Sequence, residues 1–296
     1  MSRSHSGGGR VITIPARKGT PAKVRHRGVI PINARPKRGN PRPLFAAWDE
    51  IEAIVAESRR GIAVMLDFDG TLAGIRNQPE QVRLGARMSR ALRQLVDRGA
   101  LLGIVSGRSL PDVRSRVGIE GICYVGCHGY SMQASQGKPV TLMSRAEEAL
   151  LPRISRALHL RLHGLRGIRI ESKEAGIATH YRNAERRNVR RAHAAIRDIL
   201  SRNRRLHLIP GKKVWEILPG PGVDKWTAIQ HLLALENRRD SLLFYVGDDI
   251  PDEYVFARMR GISIAVGRRR RTSARFFVKT PSDVARFLEE LAKAIV

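Results

Sequence analysis

Three short stretches place carboxylates and hydroxyls at spacings that chemistry can use. Residues 64–71 read VMLDFDGT; if the segment is a strand, Asp67 and Asp69 face the same side of it. Two carboxylates so close repel each other unless something positive sits between them. A second acidic pair, Asp248 and Asp249, closes the apolar run SLLFYVGDD at 241–249, and Asp252 follows in GDDIPDE. Ser106, Gly107 and Arg108 close ALLGIVSGRS at 100–109. Three or more carboxylates suit an oxygen-preferring divalent cation, and Mg²⁺ takes one or two of them together with substrate phosphate oxygens. Thr71 and Ser106 offer hydroxyls, and the backbone N–H groups of glycine turns such as that at Gly107 bind phosphate. Lys225, at an expected helix start, would neutralise charge developing in a transition state. An aspartate beside such a cation is a known kind of phosphoryl nucleophile.

Each group alone has a plainer reading. The DxDGT stretch could be a solvated turn, Ser106-Gly107-Arg108 a turn and cap, and Lys225 a surface lysine. The acids of GDDIPDE favour a helix N-terminus in any case. Their joint order along the chain is what distinguishes them, and the elements that would hold them are legible. Residues 43–61 have a helical apolar period ending at Arg-Arg-Gly. Residues 62–70, 100–109 and 121–129 read as buried strands. Between them lie helices at 85–98, with Leu92, Leu95 and Val96 inward, and near 110–117. Continuous apolar strands alternating with helices imply a parallel sheet covered on both faces, whose ligands lie beyond the carboxyl ends of the strands.

The rhythm changes in the middle. Residues 145–163 and 185–203 read as helices, the second strongly basic, and 168–184 and 206–218 as hairpins. A helix at 224–236, strand 241–249, helix 252–259, strand 261–267 and helix 281–295 then resume the first pattern. The expectation is an α/β fold, a Rossmann-like core at 44–140 and 217–296, interrupted by a small α+β insert at 141–216. In that insert Glu171 and Lys173 alternate on one strand face, His180 and Arg182 do so on its neighbour, and Glu216 joins from the second hairpin. Charged donors and acceptors on one rigid face suit a polyhydroxylated ligand, although exposed cross-strand ion pairs would look the same.

Composition sets the outer limits. The 296 residues carry a net charge of +27, and eleven of the 54 basic residues fall in 1–48, where there is no acid. Residues 1–43 read as a disordered basic tail able to bind polyanions weakly. A polyanion-binding protein built on that tail and the basic helix is the rival reading. The acidic strand ends argue against it, and no helix-turn-helix, zinc-finger or aromatic RNA-binding signature is present. No apolar run is long enough to span a membrane, and no secretory leader is evident. Cys123 and Cys127, four apart, read as unpaired core residues of a reducing, cytoplasmic setting.

With LDFDGT, IVSGR, Lys225 and VGDDIPDE in this order, the chain from 43 to 296 resembles the haloacid dehalogenase superfamily of phosphatases. VGCHG at 125–129, ESKEAGIATHYRNA at 171–184 and GKKVWEILPGPGVDKWTAI at 211–229 look like its trehalose-6-phosphate phosphatase family, whose insert is a C2-type cap. The resemblance implies a nucleophile at Asp67 and an acid–base at Asp69. It implies Mg²⁺ held by Asp67, the Asp69 backbone carbonyl and Asp248, with Asp249 or Asp252 in support. Thr71, Ser106, Gly107 and Lys225 would bind the phosphoryl group, and Arg108, His128, Glu171, Lys173, His180, Arg182 and Glu216 the sugar. The chain departs from the family after His128-Gly129: no charged residue appears before Lys138. Sucrose phosphate or a glucosylglycerol-type phosphate therefore stays open as the substrate.

Overall fold

Six consecutive buried residues, Ile62–Asp67, form a central strand because the chain offers β-branched and aliphatic side chains to helices on both faces. The computed structural model describes Ile30, Ile32, Ala34 and residues 38–74, 82–211, 213–220, 222–267 and 271–295. The tail expected at 1–43 lies mostly outside these.

In chain order the elements are β1 (Arg42–Pro43), α1 (Trp48–Ala56), β2 (Ile62–Asp67), α2 (Ala86–Asp97), β3 (Leu101–Val105), α3 (Leu110–Val117), β4 (Cys123–Gly126), β5 (Ser131–Gln133) and β6 (Val140–Thr141). Then come α4 (Arg145–Leu162), β7 (Arg169–Lys173), β8 (Gly176–His180), α5 (Arg186–Ser201), β9 (Leu206–Gly211) and β10 (Val214–Pro219). The chain closes with α6 (Lys225–Leu235), β11 (Leu242–Gly247), α7 (Ile250–Arg258), β12 (Ile262–Val266), β13 (Phe276–Val278) and α8 (Pro281–Ala294).

The larger sheet runs β1-β13-β12-β11-β2-β3-β4-β5-β6 among the described residues, parallel from β1 to β4 and antiparallel at β5 and β6. Helices α6 and α7 cover one face through Ile229, Leu232, Val255 and Phe256. On the other, α2 packs on α8, and Phe287 of α8 meets Trp48 and Phe244. Two expectations shift here. Val96 is only half-buried, since Leu92 and Leu95 already fill the inward face of α2. Arg42 and Pro43 pair with β13, so the sheet begins before residue 44.

Residues 145–219 build a second layer pair. Its antiparallel sheet, β7-β8-β10-β9, packs one face on α4 and α5 through Ile177, Trp215, Ile217, Leu158 and Ile196. The period of two then turns Glu171, Ala178 and Glu216, which sit side by side across β7, β8 and β10, to the opposite face. The insert is thus a cap over the carboxyl ends of the core strands, and its sheet extends past residue 216 to Pro219. Among the described residues no helix is long and apolar enough to cross a membrane.

Candidate active site

Parallel register gathers the strand ends. Asp67 pairs with Val105, and Leu66 with Val246, so Asp67 falls between Ser106 and the Gly247-Asp248 turn. Asp249 caps α7 and forms a capping box with Asp252, which brings Asp252 under the same turn. Asp224 caps α6 in the same way with Thr227, and Lys225 is the first helical residue. The Lys225 ammonium lies 2.7 Å from Asp67 Oδ1 and 2.7 Å from Asp252 Oδ1, all three residues being buried.

Asp252 is completely buried and fully engaged. Its Oδ1 also accepts from the Tyr245 hydroxyl at 2.7 Å, and its Oδ2 accepts from the N–H groups of Asp248 and Asp249, each at 2.8 Å. Burial raises the proton affinity of its carboxyl, but Lys225 and these donors outweigh that and hold it below the usual carboxylate range. For Asp67 burial wins: its carboxyl is pushed well up, Asp252 and Asp248 adding to the effect and Lys225 opposing it. Lys225 is itself driven upward by the two carboxylates against its burial, and stays an ammonium.

One oxygen from each of Asp67, Asp248 and Asp252 falls within 4.8 Å of the others. All the donors of this buried cluster are hard carboxylate oxygens, a set that fits an oxygen-preferring divalent cation. Gly70 makes the approach possible: at φ +86° a β-carbon there would stand 2.2 Å from Asp248 Oδ2. The carboxylates of Asp69 and Asp249 lie outside this cluster. Asp249 Oδ1 is taken by the Ile250 N–H at 2.8 Å. Asp69 is held in a fork by Arg108, Oδ2 at 2.6 Å from Nε and Oδ1 at 2.7 Å from Nη2. Arg108 also reaches Asp112, which in turn binds Arg116.

A cavity of about 520 Å³, within the range of small-molecule sites, separates core from cap. Asp67, Asp69, Ser106, Gly107, Arg108, Lys225, Asp248 and Asp249 form its floor; Glu171, Lys173, His180, Arg182 and Glu216 form its roof, with His128 between. Thr71 is not part of the wall. The turn folds back on itself, with the Leu72 and Ala73 N–H groups on the Phe68 carbonyl, and buries Thr71 behind it. Arg182 lines the cavity from a turn, because β8 ends at His180. His180 Nε2 lies 2.7 Å from Glu171 Oε2 and, in the tautomer that carries its proton there, donates to that carboxylate. Lys173 is salt-bridged to both oxygens of Glu216, at 2.8 and 2.9 Å. Burial would raise the Glu216 carboxyl, but Lys173 and His128 hold it at about 2.

His128 follows Cys127 in the left-handed region (φ +57° and +48°), so VGCHG turns sharply and sends its imidazole against Gly107. Gly107 tolerates no β-carbon, which would sit 2.5 Å from that ring. Both cysteines are free and buried, and burial pushes the Cys127 thiol up to about 12. Residues that motif reading passed over also reach the site. Asp112 and Arg116 continue from Arg108 at steps of four, a helical ladder visible in the sequence. Arg169 alternates with Glu171 and Lys173 on β7. Tyr245, inside an apolar strand, gave no such signal.

The parallel core with its inserted cap defines a class of fold, and solved structures share it. The C-terminal domain of Candida albicans trehalose-6-phosphate phosphatase matches at TM-score 0.72 and 20% identity, covering 86% of this chain and 99% of that one. A crystal structure described as a trehalose-6-phosphate phosphatase related protein matches at TM-score 0.68 and 24% identity, covering 78% and 97%. The fold is the haloacid dehalogenase type with a cap. The family model for trehalose-phosphatase matches residues 65–285, and the chain belongs to that family. Trehalose-phosphate phosphatases of Mycobacterium ulcerans and Mycobacterium tuberculosis are 36% and 35% identical over 245 residues, 79% of this chain. The chain spans 62% of the length of those relatives.

Proposed function

We propose that the chain is a Mg²⁺-dependent phosphatase that hydrolyses trehalose 6-phosphate to trehalose and inorganic phosphate. The observation that carries the reading is Asp67: a buried carboxylate with Lys225 at 2.7 Å, on the floor of a cavity whose roof is lined with charged hydrogen-bonding groups. The substrate is the one for which the related trehalose-phosphate phosphatases are named. Asp67, the Asp69 backbone carbonyl and Asp248 would hold Mg²⁺, with Asp252 orienting the turn that carries Asp248. Bound there, the ion would offset negative charge at the phosphoryl group.

In the first half-reaction an Asp67 oxygen attacks phosphorus, the bond from phosphorus to the sugar's 6-oxygen breaks, and Asp69, protonated and turned from the Arg108 fork toward the leaving group, gives its proton to that oxygen. In the second, Asp69 takes a proton from water as the water oxygen attacks the aspartyl phosphate; phosphate leaves and Asp67 is restored. Ser106, Gly107 and Lys225 hold the phosphoryl oxygens through both steps. Glu171, His180, Arg182 and Glu216, with His128, would read the sugar hydroxyls while the cap excludes bulk water.

The test is phosphate release from a panel of sugar phosphates, including trehalose 6-phosphate and sucrose 6-phosphate, with Mg²⁺ and again with EDTA. Turnover of trehalose 6-phosphate well above the rest, lost with the chelator, is expected. Strong turnover of the others with none on trehalose 6-phosphate overturns the substrate.

A further inference from the structure

Lys173 has three ammonium protons, and each already has an acceptor. Two serve the Glu216 carboxylate, and the third goes to the Gly107 carbonyl at 2.8 Å, on the core side of the cavity. With both side chains almost fully covered, a sugar hydroxyl reaching this lysine would share its protons with acceptors already in place. Its place is nevertheless telling, because Gly107 lies in the turn that faces the phosphoryl group.

The carbonyls of that turn are gripped one after another. Ser106 C=O accepts from the His128 N–H at 3.1 Å and Arg108 C=O from the Cys127 N–H at 2.7 Å, both within the core. The middle carbonyl, Gly107, is held by the cap through Lys173. In a trans peptide C=O and N–H point opposite ways, so the direction of the Gly107 carbonyl sets that of the Arg108 N–H. That N–H donates to Ser106 Oγ at 3.1 Å. A serine hydroxyl whose oxygen accepts such a bond is set to donate its own proton onward, here toward a phosphoryl oxygen.

We propose that Lys173 is a positioning residue that couples the cap to the phosphate-binding turn. Glu216 fixes the ammonium, the ammonium fixes the Gly107–Arg108 peptide, and that peptide aims the Ser106 hydroxyl. Phosphate binding is thereby completed only when the cap hairpin sits on the core, which ties sugar recognition to assembly of the phosphoryl site. The inference rests on the phosphatase reading above but adds a link between the two halves of the site. The neighbouring cap residues reinforce the contact: Glu174 accepts from the Leu110 N–H at 3.3 Å, and Ala175 packs with Cys127 and Tyr130 of the core.

The discriminating probes contain no sugar. Inorganic phosphate affinity, measured calorimetrically with Mg²⁺, and turnover of p-nitrophenyl phosphate are compared between the wild type and Lys173→Met. Because that variant leaves Glu216 buried without its partner, the double variant Lys173→Met/Glu216→Gln is measured beside it, with a thermal melt confirming the fold of each. A loss of about tenfold or more in phosphate affinity and in p-nitrophenyl phosphate turnover is expected. If phosphate affinity and p-nitrophenyl phosphate turnover stay within twofold of wild type while turnover of sugar phosphates falls, Lys173 is a sugar contact only and the proposal is overturned. A wild type inactive on trehalose 6-phosphate would refute the substrate assignment yet leave the phosphate-affinity comparison intact.

Discussion

Asp69 and Glu216 show how much a single carboxylate depends on its partner. Arg108 clamps Asp69 by both oxygens, fixing it at the cavity wall. As the proton carrier of both half-reactions, Asp69 cannot be replaced by an amide: Asp69→Asn is expected to lower kcat by about 10²–10⁴. A steady-state assay on the sugar phosphate checks this, and an active Asn variant removes the assignment. Glu216, besides facing the cavity, affects stability. Its folded value of about 2 lies below its ordinary 4.5, so its ionised form stabilises the fold above pH 4.5. That contribution, about 3 kcal/mol, fades as pH falls from 4.5 toward 2. Denaturation of the wild type and Glu216→Gln across this range should show the wild type losing stability relative to the variant as the pH drops; parallel curves would contradict it.

At the scale of the element, helix and strand termini do the positioning. The acids of GDDIPDE are read from the sequence as a helix start, and the structure uses the caps of α6 and α7 to bring Lys225 and Asp252 to Asp67. The apolar runs of β2, β3 and β11 were legible for the same reason: six or so buried residues bounded by turns leave few alternatives. The pairing of side chains was less so. Nothing in a motif distinguishes Arg108 bound to Asp69 from Arg108 bound to a sugar, since that depends on rotamers across 39 residues of chain. Thr71 looked like a phosphate ligand by spacing, and a tight turn buries it. Strand β13, three residues long, is too short to show a period. Gly70 tests the local geometry. Gly70→Ala puts a methyl onto Asp248, and the Mg²⁺ concentration for half-maximal activity should rise about tenfold or more; an unchanged metal response would mean that Asp248 has room to move.

For the molecule as a whole, core and cap have separate apolar interiors, and the cavity lies where they meet. The division was visible in the sequence as a change of rhythm, whereas the fit of the hairpin at Lys173 onto Gly107 was not, because it depends on how two folded layers meet. The charge of +27 also acts at this scale. A strongly basic protein attracts an anionic substrate from a distance, so kcat/KM should fall several-fold as salt is raised from 10 to 300 mM, with kcat much less affected. Equal kcat/KM at both salt concentrations would show that the charge has no part in capture.

The central claim is that Asp67 takes up the phosphoryl group. Mass spectrometry of enzyme quenched in acid during turnover of trehalose 6-phosphate should find a phosphoryl group on the peptide that contains Asp67, and Asp67→Asn should be folded and inactive. An Asp67→Asn variant that turns over the substrate at the wild-type rate would contradict the account.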